Sequence, residues 1–121
     1  MELTESPHAG GFVLSLANRN RSLENVTILS GQDLQAGAVL GKVTSSGKYV
    51  AFDNDATDGS QTVAGVLLAA CDASDGDQQA AIVARDAEVN EHELVWDEDN
   101  DTADITAGLA ELITLGIIPR G

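Results

Sequence analysis

The alternation of apolar and polar positions divides the chain into three stretches. Residues 12–16, FVLSL, form a short apolar run with polar sequence on both sides, MELTESPHAGG before it and ANRNRSLEN after it. An apolar run isolated in this way has no neighbouring apolar sequence with which to share a core. It is therefore read as a strand that pairs with something outside the body. From Val26 the pattern becomes that of successive strands. VTILS meets the turn signal SGQD at 30–33. Val39, Gly41 and Val43 then alternate with Leu40, Lys42 and Thr44; SSG at 45–47 turns the chain, and KYVAF at 48–52 returns it as a hairpin. After the loop DNDATDGSQ, TVAGVLLAAC at 62–71 is a nearly continuous apolar strand. The loop DASDGDQQ leads to AAIVARDAEV at 80–89, a strand running into a bend, and ELVW at 93–96 is a brief extended piece.

The third stretch is helical. Beyond the acidic loop DEDNDTAD at 97–104, Ile105, Leu109, Leu112, Ile113 and Gly116 recur at helical spacing and predict one apolar face. Asp101 or Thr102 can cap the start, and Gly116 can close the end. Gly108 in the interior costs about 1 kcal/mol against Ala, so this helix needs packing to persist. GIIP at 116–119 is extended again. The resulting expectation is a mainly β protein with a small helical part: a flexible, extended N-terminal arm over residues 1–25 and a β-rich domain over 26–121 that includes one C-terminal helix.

A length of 121 residues fits one domain. Its large aromatics are only Phe12, Tyr49, Phe52 and Trp96. Such side chains supply much of the burial in most cores, so a fold this poor in them leans on a partner surface. Twenty acids face six bases, for a net charge of −14. A surface so charged repels nucleic-acid phosphate and anionic lipid, and no Lys/Arg cluster offsets it. Residues 1–60 carry seven acids and four bases, against thirteen and two in residues 61–121. In the first 22 residues Glu2 and Glu5 balance Arg19 and Arg21, which sets a neutral leader on an acidic body. Cys71 is the single cysteine and lies in an apolar run, so it reads as a buried, inert thiol with no internal disulfide. The N-terminal sequence lacks the basic start and apolar core of a signal peptide, and no apolar run approaches the roughly 18 residues needed to span a bilayer. A soluble protein made in a reducing compartment is expected, with no nucleic-acid or membrane partner.

Few motifs carry chemistry. GAVLGK at 37–42 resembles a phosphate-binding loop, but that loop needs four residues between its first glycine and the Gly-Lys pair, followed by Ser or Thr. Here three residues intervene, Val43 follows, and Lys42 sits in a period-two pattern. Gly37 and Gly41 are read instead as turn or bulge positions of a hairpin. Asp97, Asp99 and Asp101 match the first three ligand positions of a calcium loop, but Thr102 and Gly108 stand where Gly and Glu are required. His8 and His92 have no nucleophile or metal partner in the sequence. No catalytic, cofactor-binding or metal-ligating residue is assigned, and the chain is read as a non-enzyme that needs no cofactor. Lys48, after the turn Ser45-Ser46-Gly47, is the one position that a lipoyl-type carrier domain could modify, and it lacks the flanking acid usual there.

Several stretches, in order and spacing, resemble the phage head decoration proteins related to the lambda D protein: HAGGFVLSLANRNRS (8–22), NVTILSGQDLQAGAVLGKVTSSGKYVAFD (25–53), ATDGSQTVAGVLLAA (56–70), VARDAEVNEHELVW (83–96) and AGLAELITLGI (107–117). The resemblance implies a compact β-clip or barrel-like domain with a small helical part. It implies a homotrimer on the outer surface of the expanded capsid, made in the host cytoplasm, that joins neighbouring copies of the major capsid protein against the pressure of packaged DNA. It also implies an N-terminal arm that orders on the capsid by strand pairing. In this sequence that arm is assigned to Phe12, Val13, Leu14, Ser15, Leu16, Arg19 and Arg21. Two departures from the lambda protein are the arm, which is not Pro-rich here, and the acidic segment after Trp96. The rival readings are a small β-barrel carrier or ligand-binding module, and another phage structural part from the tail or the head-joining region.

Overall fold

In the computed structural model residues 10–17 and 19–121 are described, apart from the side chains of residues 19 and 20. They form β1 (Val13–Leu16), α1 (Arg19–Ser22), β2 (Leu23–Ile28), β3 (Asp33–Leu34), β4 (Val39–Lys42), β5 (Tyr49–Ala51), β6 (Val63–Leu67), β7 (Cys71–Asp72), β8 (Gln78–Val83), β9 (Ala87–Asn90), a single 3-10 turn (Glu91–Glu93), α2 (Thr102–Thr114) and β10 (Ile117–Arg120). The expected mainly β architecture with one C-terminal helix is the architecture found.

Five strands close into a barrel in the order β2-β5-β4-β6-β8. The hairpin expected around residues 45–47 is β4 paired antiparallel with β5, Lys42 opposite Tyr49. Two short strands, β3 and β7, pair beside the barrel. A second sheet has the order β1-β9-β10, with β10 parallel to β9 and β1 antiparallel to it.

Alternation along the barrel strands separates two cores. Ile28, Leu40, Tyr49, Leu67 and Ile82, one from each barrel strand, belong to one buried cluster. Their neighbours Val39, Val66 and Val83 join a second cluster with Phe12, Phe52, Val89, Leu112 and Ile117. Strands buried on both faces lose their polar alternation, which is why TVAGVLLAAC reads as one apolar run. The bulge between Leu40 and Gly41 in the β4–β6 register lies at the second glycine of GAVLGK. A Cβ on Gly41 would stand 2.4 Å from the Ser60 carbonyl oxygen, so this glycine serves the close approach of two backbones.

α2 begins as its sequence predicts. Asp101 accepts from the Asp104 N–H at 2.9 Å while Asp104 accepts from the Asp101 N–H at 3.1 Å, a reciprocal capping box. It ends at Gly116, whose φ of +85° suits only glycine without strain. Its apolar face matches the expectation at Leu109 and Leu112 and departs from it at Ile113. Gly108 and Leu112 are the buried positions, and Ile113 is 55% exposed. The reason is Trp96: its ring occupies the space beside Gly108, where a Cβ would come within 2.5 Å of it. Trp96 also meets Phe52 edge to face, with ring centroids 6.0 Å apart.

The stretch from Gly10 to Asn25, expected to stand apart from the body, is built into it from Gly10 onward. The Gly10 N–H donates to the Leu68 carbonyl at 2.8 Å, Phe12 is 2% exposed within the second cluster, and β2 starts at Leu23. Polar sequence on both sides isolates FVLSL along the chain but not in space, because β1 pairs with β9 and Phe12 packs into the second cluster. Residues 1–9, the remainder of the expected arm, lie outside the described residues.

Candidate interaction surface

The second sheet has an open edge. β9 lies between β1 and β10, so the outer side of β1 has no strand neighbour among the described residues. Its register carries a bulge between Val13 and Ser15, with Val13 opposite Val89 and Leu16 opposite Ala87. The structure sorts the residues assigned from sequence into distinct roles. Phe12 is core, and its carbonyl accepts from the Asn90 N–H at 2.8 Å. Val13 and Leu16 are half-buried against the second cluster. Leu14 is 54% exposed, and Ser15 is exposed with its hydroxyl 3.3 Å from a Glu88 carboxylate oxygen. Arg21 lies at the surface, its guanidinium 3.4 Å from the Asp86 carboxylate. The Arg19 side chain lies outside the described residues. Such an edge offers unpaired backbone N–H and C=O groups beside an exposed apolar side chain, the elements of a template for a further strand.

Long-range hydrogen bonds fix this edge to the barrel. Ser22 is fully buried; its hydroxyl accepts from the Ala17 N–H at 3.0 Å and donates to the Asp86 carbonyl at 2.9 Å. Its own carbonyl accepts from the Ala84 N–H at 2.8 Å. The Arg85 guanidinium donates to the Arg21 carbonyl at 2.7 Å and pairs with Glu24. A serine in a polar sequence gives no local sign that it holds a β1–β8–β9 junction, so sequence reasoning missed it. Asn100 was missed in the same way. Its side-chain amide donates to the Phe52 carbonyl at 2.9 Å and accepts from the Asn54 N–H at 3.2 Å, tying the loop after β5 to the start of α2.

The acidic loops use their carboxylates locally. Asp53, Asp58, Asp72 and Asp97 each accept from the backbone N–H two residues further on, at 3.0, 3.0, 3.0 and 3.1 Å. This is how aspartate stabilises a turn. Hydroxyls of Ser60 and Ser74 add bonds of 2.6 and 2.5 Å to Asp58 and Asp72. Those serine hydroxyl bonds, then the amide bonds, hold both carboxyls below the usual aspartate range. Asp77 is lowered chiefly by its hydrogen bond from Lys48 at 2.5 Å and then by the Ser30 N–H. Lys48 is thus engaged at the barrel surface. Burial pushes the Cys71 thiol up, as suits an inert cysteine. Among the described residues no three His, Cys, Asp or Glu side chains group as metal ligands, and no helix is long and apolar enough to cross a membrane.

Comparison with curated proteins returns no match. The family model of the bacteriophage lambda head decoration protein D matches residues 2–117, nearly the whole chain, including the open edge, the barrel and α2. The chain therefore belongs to the family of the bacteriophage lambda head decoration protein D, structural rather than enzymatic proteins of the phage head.

Proposed function

We propose that this protein coats the outer surface of the expanded phage capsid as a homotrimer, made in the host cytoplasm among the late proteins. There it binds the major capsid protein and stabilises the shell against packaged DNA. The observation that carries the reading is the family match over residues 2–117. The open edge of β1 supplies a physical means. Leu14, Ser15 and the unpaired backbone on the outer side of β1 receive an extended segment of the capsid protein, and residues 1–9 extend that contact. Phe12 supports the edge from within. Strand addition has to offset roughly 1–2 kcal/mol per residue ordered. Three copies on one trimer raise the effective concentration of the second and third contacts once the first has formed.

The test is to mix purified protein with expanded heads that lack it, and to heat them. Binding with a higher disruption temperature is expected; no binding and no gain reject the proposal. Leu14→Asp and deletion of residues 2–9 should each weaken binding to heads while the isolated protein stays folded. Full binding by both would refute the edge assignment and leave the decoration role standing.

A further inference from the structure

Besides Leu14, Ile113 is the one large apolar side chain exposed among the described residues. It stands on α2, a 13-residue helix with two charged residues, Asp104 and Glu111. Both are half-buried and bonded inward. Asp104 accepts from the Asn54 side-chain amide at 2.9 Å and from the Asp101 N–H, and Glu111 accepts from the Val63 N–H at 3.0 Å. Beyond its first residue, what α2 turns to solvent is Ala103, Thr106, Ala107, Ala110, Ile113 and Thr114. The two threonine hydroxyls are also satisfied within the helix. Thr106 donates to the Thr102 carbonyl at 2.9 Å, and Thr114 to the Ala110 carbonyl at 3.3 Å. A surface helix ordinarily carries charged side chains on its outer face. This one carries none, in a chain with twenty acids and six bases.

We propose that the outer face of α2 is where copies of this chain meet, three such helices packing around the symmetry axis of the homotrimer. The inference rests on the homotrimer reading above. Charge selects the occupant. A second copy has the same net charge of −14, so most approaches set acid against acid. The α2 face removes that repulsion, because its own carboxylates are turned into the fold. Alanine and threonine allow helix backbones to come close, and Ile113 supplies the apolar contact at the centre. The opposite side of the helix is anchored in the second cluster through Leu112, so its rigidity is set by packed core.

Solution mass, measured by light scattering over a range of concentrations, tests this. The wild type should have three times the mass of one chain. Ile113→Gln and Ala107→Glu, both at exposed helical positions, should remain folded by circular dichroism and fall to the mass of one chain, a threefold loss. Leu14→Asp should keep the wild-type mass. If both helix variants keep the three-chain mass, the face is not the contact. If they also lose binding to heads, it belongs to the capsid protein instead. A wild type with the mass of one chain would overturn the homotrimer reading itself, independently of where the contact lies.

Discussion

The barrel interior and the layer outside it draw on the same strands, one residue to each side, yet they end at different kinds of surface. Inside, Ile28, Leu40, Tyr49, Leu67 and Ile82 fill a ring that closes on itself. A closed barrel leaves no free strand edge and needs nothing further. Outside, Val39, Val66 and Val83 are covered by segments from opposite ends of the chain: Phe12 leading into β1, and Leu112 and Ile117 of α2 and β10. That layer stops at an unpaired strand edge and at an uncharged helix face, and it carries both exposed large apolar side chains. The self-contained half of the molecule is scaffold. The half completed by the chain ends carries both surfaces proposed above as contacts with other chains.

The largest effect that can break this comparison is at Phe12. Truncating a fully buried aromatic leaves a cavity, and Phe12→Ala should cost about 3–5 kcal/mol of stability. Leu14→Ala, two residues along the same segment, should change it by no more than about 0.5 kcal/mol, as exposed positions do. Denaturant unfolding at one fixed protein concentration separates them. Equal effects would mean that β1 is not part of the outer layer, and the arm would again be a free leader.

Gly108 sharpens the comparison at the seam between α2 and the barrel. Alanine favours helix over glycine by about 1 kcal/mol. Its Cβ would, however, stand 2.5 and 2.8 Å from two atoms of the Trp96 ring, and 3.3 Å from Phe52, which is itself fully buried. Overpacking of this kind costs about 1–3 kcal/mol and outweighs the gain. Gly108→Ala should therefore lower stability and shift the emission of Trp96, the single tryptophan. A more stable variant with unchanged emission would show that the ring is free to move aside.

The strands and the helix were legible because their signals are local: period-two alternation, turn residues, a capping box and a glycine stop. The strand order was not legible, since closure of β2 on β5 and β8 joins residues more than twenty positions apart. Nor was the place of Phe12. The polar residues between β1 and β2 mark a boundary in sequence, but Ser22 crosses it through bonds to Asp86, 64 positions away. The apolar spacing gave the right helix and most of its buried face, but it placed Ile113 on that face when Ile113 is exposed. The misread signal was Gly108, taken as a weakness, whereas it marks the face that meets Trp96. The open edge of β1 emerged from the runs around it, but as a free strand instead of the rim of a sheet.

The smallest effect concerns acid, and it belongs to the barrel loops. Asp58, Asp72 and Asp77 are held below the ordinary aspartate pKa in the folded protein. A depressed carboxylate contributes stability that is present above its unfolded pKa, about 3.9 for aspartate, and is lost as pH falls through the folded value. Lowering pH from 8 to 5 should leave these contributions intact. The thermal midpoint should therefore hold over that range and drop below about pH 4. Asparagine at 58 and 72 still accepts the Ser60 and Ser74 N–H groups but cannot titrate. A double variant, Asp58→Asn with Asp72→Asn, should show a smaller drop between pH 4 and pH 2 than the wild type. An identical drop would show that the Asp58 and Asp72 turns do not set the acid sensitivity and leave Asp77, held by Lys48 and the Ser30 N–H, as the depressed carboxylate to replace next.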